Sequence, residues 1–362
     1  MSKTGKSPLH TMTLMSPTEF WNDSCSVSDL AHAIDNGATG GTSNPIIVGN
    51  VLKKEIATWR PRIVSIINEN PAANEDFIAW KIMEEITVNA AKLLKPIFDE
   101  SNGRTGRLSI QTNAKYYRDA KAIVEQALYF NSLYPNNNIK LPMTKAGVEA
   151  IEELSYQGVS VNGTVSFTVP QTIAAAEAVE RGLKRRQKEG KDISTMGPVC
   201  TIMVGRLDDW FRFQAAKKGI LTEPGYFDFA GIAAAKKTYE IYRERGYRTR
   251  LLIAAFRNHC HWSQFIGGEV SLTIPSAWQE KINTSDVEVK NRINDPVDPK
   301  IIAELQKKFP DFSRAYDEKG MKPEEFEFYG ATKLILLDFL RGYSDFIGFI
   351  RNIMISDPNT ED

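Results

Sequence analysis

A lysine interrupts a short apolar strand pattern at residues 139–142, Ile-Lys-Leu-Pro. Side chains alternate along a strand, so Lys140 points away from the face that carries Ile139 and Leu141. If those two residues face a packed layer, Lys140 faces either solvent or a cavity. Burying an amine that has no purpose is costly, so a cavity position would indicate a chemical role for Lys140.

Other polar side chains lie near the ends of further strand-like segments. They are two arginines, one aspartate and several amides and hydroxyls: Asp23, Asn44, Gln111, Asn113, Asn162, Thr164, Thr201, Arg206, Arg257 and Asn258. Any one of them alone, such as Asn44 or Thr164, is better explained as a turn or cap residue. Together with Lys140, they would ring one mouth if the strands formed a barrel.

The elements that would position these residues alternate between strand and helix. Eight segments read as short strands: 18–23, 40–45, 106–112, 137–142, 159–165, 198–205, 248–256 and 269–274. Helical spacing of apolar residues separates most of them, as at 75–100, 144–158 and 170–190. This alternation predicts βαβ units and a parallel sheet. Eight strands over about 260 residues fit a (β/α)8 TIM barrel, whose usual size is about 250 residues.

An open doubly wound sheet is the alternative fold, but no GxGxxG follows the first strand. We therefore predict one domain over residues 1–362. Its barrel core would span about 18–280, and a helical C-terminal extension about 281–362. Aromatic residues at helical spacing in 326–355 predict a helix packed on the barrel. A second interpretation is that this helix partly covers the mouth.

Composition limits the partners of the chain. Basic and acidic side chains number 45 each, which argues against nucleic acid or an anionic membrane as the main partner. The three cysteines are far apart and lack a CxxC spacing, as is typical of a reducing compartment. The N-terminus has no apolar signal region, and no apolar stretch is long enough to span a bilayer. We expect a cytoplasmic protein.

Two histidines, His259 and His261, have a spacing that metal ligands often show. The chain has only four histidines, and no third ligand is evident nearby. Structural histidines are therefore the favoured interpretation, and we predict no metal site.

Six motifs, in this order, resemble the transaldolase and fructose-6-phosphate aldolase family of class I aldolases. They are WNDSCSVSDL, GGTSNPIIV, GRLSIQT, IKLPMTKAGVEAIEELSYQGVSVNGTVSF, MVGRLDDW and AAFRN. The lysine strand with its following helix and the NGTVSF strand is the most specific of them. The resemblance spans roughly residues 20 to 275.

The resemblance implies a Schiff-base mechanism that needs no cofactor. Lys140 would attack a ketose carbonyl, and Asp23 would act as the general acid and base. An attacking lysine must be neutral, so its pocket must lower its pKa from about 10.4 by desolvation or nearby positive charge. The apolar neighbours of Lys140, together with Arg206 and Arg257, could supply both effects.

The remaining roles are also carried over from the family. The implied catalytic set is Lys140, Asp23, Gln111 and Thr164, with Thr164 positioning a water. The implied substrate-binding set is Asn44, Asn162, Arg206 and Arg257, to which we add Thr201 from its place near the end of the sixth strand segment. In it the amides bind sugar hydroxyls, and the two guanidinium groups clamp a phosphate.

Three departures from the family pattern keep several functions open. Gln111 replaces the glutamate of transaldolases and matches the aldolase branch, whereas Met203 replaces the tyrosine of that branch. Ala255 replaces a phosphate-contacting serine. A transaldolase-like transfer of a dihydroxyacetone unit between sugar phosphates is favoured. The alternatives are an aldolase-like carbon–carbon lyase and a non-catalytic sugar-phosphate-binding barrel. The sequence leaves the oligomeric state open, including a homo-oligomer.

Overall fold

Eight parallel strands close into a barrel in the order of the chain. The structure is a computed structural model that describes residues 5–355. Strand β1 pairs with both β2 and β8, which closes the sheet. The strands are β1 (Glu19–Asn22), β2 (Gly40–Thr42), β3 (Arg107–Gln111), β4 (Asn137–Pro142), β5 (Val161–Thr164), β6 (Val199–Met203), β7 (Arg250–Ala254) and β8 (Ser271–Ile274).

Helices connect the strands and extend beyond them at both ends. The first eight are α1 (Pro8–Met15), α2 (Val27–Asp35), α3 (Pro45–Lys54), α4 (Ile56–Glu69), α5 (Glu75–Glu100), α6 (Ala120–Leu133), α7 (Lys145–Gln157) and α8 (Val169–Lys188). The others are α9 (Val204–Lys218), α10 (Ala230–Arg245), α11 (Cys260–Ser263), α12 (Ser276–Asn283), α13 (Pro299–Lys308), α14 (Pro310–Tyr316) and α15 (Gly330–Met354). Short 3₁₀ turns lie at Ala114–Tyr116, Tyr226–Phe229 and Pro323–Phe328.

The predicted (β/α)8 barrel is confirmed, and the alternative of an open doubly wound sheet is wrong because the sheet closes. Each of the eight predicted segments contains one strand. The second is shorter than predicted: it ends at Thr42 because Asn44 caps α3, which begins at Pro45. The extent of the single domain stays a prediction, and its outermost residues, 1–4 and 356–362, lie outside the described range.

Side chains that point into the barrel close it below the mouth. Trp21, Val199 and Leu252 form a small apolar cluster. A Cβ at Gly40 would come within 2.6 Å of the Trp21 ring, so only glycine leaves room for this indole. Nearer the N-terminal ends of the strands, Arg250 on β7 pairs with Glu19 on β1 at 2.8 Å.

The last helix, α15, packs against elements on the C-terminal side of the barrel. Gly342 faces the Ile46 side chain of α3, and Phe346 lies opposite Gly49 of the same helix. The Tyr343 hydroxyl donates to Asp76 on α5 (2.5 Å) and accepts from the Trp80 indole (3.0 Å). Within residues 5–355, no helix is both long enough and apolar enough to cross a bilayer.

Candidate active site

A cavity of about 280 Å³ lies at the C-terminal end of the barrel strands. Seven of the nine predicted site residues line it: Asp23, Asn44, Lys140, Thr164, Thr201, Arg206 and Arg257. Another cavity, of about 330 Å³, lies near the start of β7 and includes Thr249 and Arg250. Chemistry in this fold takes place at the C-terminal ends of the strands, so the smaller cavity is the candidate site.

Lys140 is the buried amine of this cavity. Ile139 and Leu141 are fully buried in the surrounding core, whereas Lys140 reaches the cavity and is 6% exposed. Its Nζ atom lies 3.4 Å from the backbone carbonyl of Ser43. Burial lowers the pKa of Lys140, and the negative charge of Asp23 opposes that shift. The sequence predicts that Arg206 and Arg257 help to lower this pKa. Burial is the cause that lowers it, and among residues 5–355 the only charge that acts on it is that of Asp23, which raises it.

Asp23 is the carboxylate whose charge acts on this amine. Its Oδ1 accepts a hydrogen bond of 2.5 Å from the Thr42 hydroxyl, which lies 2.7 Å from the hydroxyl of Thr273. Burial raises the pKa of Asp23, while the charge of Lys140 and the bond from Thr42 lower it. Since burial favours the neutral form of both groups, the site is suited to moving a proton rather than to holding a fixed ion pair.

A lowered pKa does not by itself distinguish Lys140. Burial also lowers the pKa of Lys236, to about 8. The Lys236 ammonium donates to the side chain of Gln264 (2.8 Å) and to the backbone carbonyls of Arg292 (2.7 Å) and Asp295 (2.6 Å). Lys236 therefore has a structural role, because its hydrogen bonds hold the backbone of residues 292–295 in place, whereas Lys140 faces a cavity.

Gln111 and Asn162 flank Lys140 but do not line the cavity. The strand register places Gln111 beside Lys140 and Lys140 beside Asn162. Asn162 donates to Ser109 (3.2 Å) and accepts from Thr201 (2.7 Å), so the buried amide orients the Thr201 hydroxyl. Gln111 is 2% exposed, and its Oε1 has no hydrogen-bond partner among residues 5–355.

Several of the predicted polar residues also have the local role that loop residues usually have. The Asn44 side chain caps α3 by accepting from the backbone of Ile47 (2.9 Å), and Asn44 still lines the cavity. Asn113 and Asn258 accept from nearby backbone N–H groups and are not part of the lining. Thr164 ends β5 immediately before Val165, whose φ of 55° turns the chain sharply at the rim.

Both arginines of the expected phosphate clamp line the cavity, and each already has a carboxylate partner. Arg206 lies 3.6 Å from the Asp338 carboxylate on α15. The Arg257 guanidinium donates to Asp209 through Nη2 (2.7 Å) and Nε (3.0 Å), and its Nη1 donates to the backbone carbonyl of Phe256 (2.9 Å). An incoming anion must therefore compete with these carboxylates.

A buried histidine holds the backbone of Arg257. His261 Nδ1 accepts from the backbone N–H of Arg257 (3.0 Å), so Nε2 carries the proton and faces Asp208 at 2.9 Å. Asp208 also accepts from the backbone of Gly231 (2.8 Å). Both side chains of the pair are fully buried, and burial raises the pKa of Asp208. The structural interpretation of the histidine pair is supported for His261, and residues 5–355 contain no cluster of side chains suited to a metal ion.

Sequence reasoning missed part of the lining. The missed residues are Thr42, Ile46, Ile47, Ala254, Phe256, Thr273, Pro275, Trp278 and Phe339. Thr42 and Thr273 lie on predicted strands, and strand alternation could have identified them as inward-facing hydroxyls. Phe339 belongs to α15, and no local signal indicates which aromatic of that helix reaches the mouth.

Comparisons of the sequence with known proteins found a matching family model and several relatives. A family model described as transaldolase/fructose-6-phosphate aldolase matches residues 20–322. Transaldolase 1 of Streptomyces avermitilis is 34% identical over 157 residues, which is 43% of this chain and 42% of the relative. Transaldolase 2 of the same organism is 33% identical over 59% of this chain and 58% of its own length. The transaldolase of Neisseria gonorrhoeae is 25% identical over 72% of this chain and 79% of its own length. The chain thus spans about half the length of the first two relatives.

Proposed function

This chain belongs to the transaldolase/fructose-6-phosphate aldolase family, and we propose that it transfers a three-carbon dihydroxyacetone unit between sugar phosphates through a Schiff base on Lys140. One observation carries this proposal: a buried amine with a lowered pKa and a buried carboxylate with a raised pKa share one cavity. A protein that only bound sugar phosphates would gain nothing from burying both groups.

Lys140 performs the first step. Its neutral amine attacks the carbonyl carbon of the ketose, and the resulting carbinolamine loses water to give an imine. The imine nitrogen takes its proton from the neutral carboxyl of Asp23, which leaves Asp23 as the carboxylate that acts in the next step. Burial supports this step because it lowers the pKa of Lys140 and so raises the neutral fraction of the amine. Gln111 and Thr164 orient the water that leaves and later returns. Gln111 can hold this water but cannot take its proton.

Asp23 performs the carbon–carbon step as a base. Asp23 removes the proton of the C4 hydroxyl, and the C3–C4 bond breaks. The electron pair of that bond moves toward the imine nitrogen to give an enamine. The aldose fragment leaves as an aldehyde. In transfer, the enamine carbon attacks an acceptor aldehyde and Asp23 returns its proton to the new hydroxyl. Water then releases the product ketose from Lys140.

The substrate-binding roles follow the position of each residue. Asn44 and Thr201 line the cavity and would bind sugar hydroxyls, while Asn162 holds Thr201 from below. Arg206 and Arg257 would bind the terminal phosphate of the sugar. We propose no cofactor, a cytoplasmic location and no membrane or nucleic-acid partner, and a homo-oligomer remains compatible with this function.

A carbon–carbon lyase is the second candidate, and Gln111 is the observation that favours it. In that reaction the enamine is protonated and released as dihydroxyacetone. An assay of the products formed from fructose 6-phosphate, once alone and once with an aldose phosphate acceptor, distinguishes the two functions. A new ketose phosphate formed only with the acceptor supports transfer. Dihydroxyacetone released at the same rate without the acceptor would replace transfer by the lyase, and no turnover in either mixture would leave only a binding protein.

A further inference from the structure

Helix α15 brings an acidic residue next to Arg206, one of the two arginines that line the cavity. The family match ends at residue 322, whereas α15 begins at Gly330. Two consecutive residues of this helix reach the site: Phe339 lines the cavity, and the Asp338 carboxylate lies 3.6 Å from the Arg206 guanidinium. The helix therefore contributes an apolar wall to this cavity, and its carboxylate contacts one of the arginines that line it.

The position of Asp338 is held from both directions along α15. On its N-terminal side, Thr332 accepts a hydrogen bond from the buried Gln171 amide (3.3 Å). On its C-terminal side, Tyr343 is bonded to α5, and Arg351 pairs with Glu75 on α5 at 2.6 Å. Because these contacts hold the helix on both sides, they keep the backbone of Asp338 near Arg206, while its side chain, which is 44% exposed, is free to turn away.

The charges around the clamp are balanced before any substrate arrives. Arg206 has Asp338, and Arg257 has Asp209. Arg212 lies 3.5 Å from Asp209 and also pairs with Asp228, so that side of the clamp is a network within the matched part of the chain. Asp338, by contrast, lies on α15, outside the matched part of the chain, and supplies the carboxylate that pairs with Arg206. A phosphate approaching Arg206 meets this negative charge as well as the guanidinium.

We propose that Asp338 is a specificity-determining residue that lowers the preference of the site for phosphorylated over unphosphorylated ketoses. With an unphosphorylated substrate, Asp338 keeps Arg206 neutralised. A phosphate must displace the carboxylate and also suffers its repulsion. This inference rests on the proposed function, since it assigns the terminal phosphate to the two arginines.

The substitution Asp338→Asn tests the inference, since it keeps the shape of the side chain and removes its charge. Arg206 and Asp338 are 38% and 44% exposed, so solvent screens their interaction and the effect is modest. We expect the dissociation constant for inorganic phosphate, measured by titration calorimetry, to fall about two- to five-fold. The ratio of kcat/KM for fructose 6-phosphate to that for fructose should rise by the same factor, and both changes should shrink as salt is added.

Asp345→Asn is the matched control, because Asp345 is an exposed aspartate on the same helix that does not line the cavity. It should leave both measurements unchanged. Phosphate affinity that stays the same or weakens in Asp338→Asn would overturn the inference, as would an equal change in Asp345→Asn. Tighter phosphate binding by a protein that forms no Lys140 adduct would support the role of Asp338 in anion binding while contradicting the proposed reaction.

Discussion

The buried pair of Asp208 and His261 should be required both for stability and for placing Arg257. In Asp208→Asn, the new amide has one oxygen to serve two buried donors, the Nε2–H of His261 and the backbone N–H of Gly231. Whichever way the amide turns, one donor is left without an acceptor. An unsatisfied buried donor costs about 1–3 kcal/mol, so the free energy of unfolding should fall by about that amount.

The same substitution should affect substrate binding through Arg257. His261 accepts from the backbone N–H of Arg257, so a displaced imidazole shifts the arginine that we propose to bind the phosphate. We expect KM for fructose 6-phosphate to rise several-fold, with little change in KM for fructose or in kcat.

Urea unfolding and steady-state kinetics on the same preparations measure both effects. His259→Asn is the control, because His259 is exposed on the same segment and does not line the cavity. A double-mutant cycle of Asp208→Asn with His261→Asn isolates the coupling of the pair. Stability within about 0.5 kcal/mol of the parent, together with an unchanged KM, would refute the positioning role, since surface substitutions stay within that range.

Three further variants, Asp23→Asn, Arg257→Ala and Gln111→Glu, test residues that line the cavity or flank Lys140. Asp23→Asn should still form the imine but should cleave the carbon–carbon bond about 10²–10⁴-fold more slowly in single-turnover assays. The pKa of Asp23 is raised in the folded state, so the folded protein holds this proton more tightly than the unfolded chain does. The free energy of unfolding should therefore fall as pH rises from the ordinary aspartate pKa through the raised one. Urea titrations should show that Asp23→Asn removes this loss. Arg257→Ala should raise KM for fructose 6-phosphate about 10-fold, which is near the lower end for the loss of a charge-assisted hydrogen bond. The effect is at the lower end because the guanidinium is about one-third exposed and Asp209 competes for it. Equal KM values for fructose and fructose 6-phosphate in the parent would contradict the clamp. Gln111→Glu should speed transfer in acceptor-dependent assays with little change in KM, unless its charge raises the pKa of Asp23 and offsets the gain; loss of transfer, with the parent cleaving ketose without an acceptor, would favour the lyase.

The barrel and the position of Lys140 could be predicted because local signals determine them. Period-two and helical patterns alternate along the chain, and strand alternation alone places Lys140 opposite Ile139 and Leu141. The cap at Asn44 also follows from local chemistry, since an asparagine followed by proline starts a helix.

What could not be predicted depends on contacts between distant parts of the chain. Helical periodicity identifies the apolar face of α15 but not the surface it meets, so the contacts of Asp338 and Phe339 with the site appear only in three dimensions. The pairing of His261 with Asp208 spans 53 residues. A motif match likewise cannot reveal that the side chain of Asn162 is engaged beneath the cavity.

Trapping of the intermediate tests the central claim most directly. The protein is incubated with fructose 6-phosphate, reduced with borohydride and digested, and the modified lysine is located by mass spectrometry. We predict a three-carbon adduct on Lys140 that is absent from Lys140→Met and is unaffected by a chelator. Lys236 is the internal control, since its pKa is also lowered by burial, to about 8, but it does not line the cavity and should remain unmodified. An adduct on Lys236 or another lysine, or undiminished trapping in Lys140→Met, would contradict the proposed Schiff base.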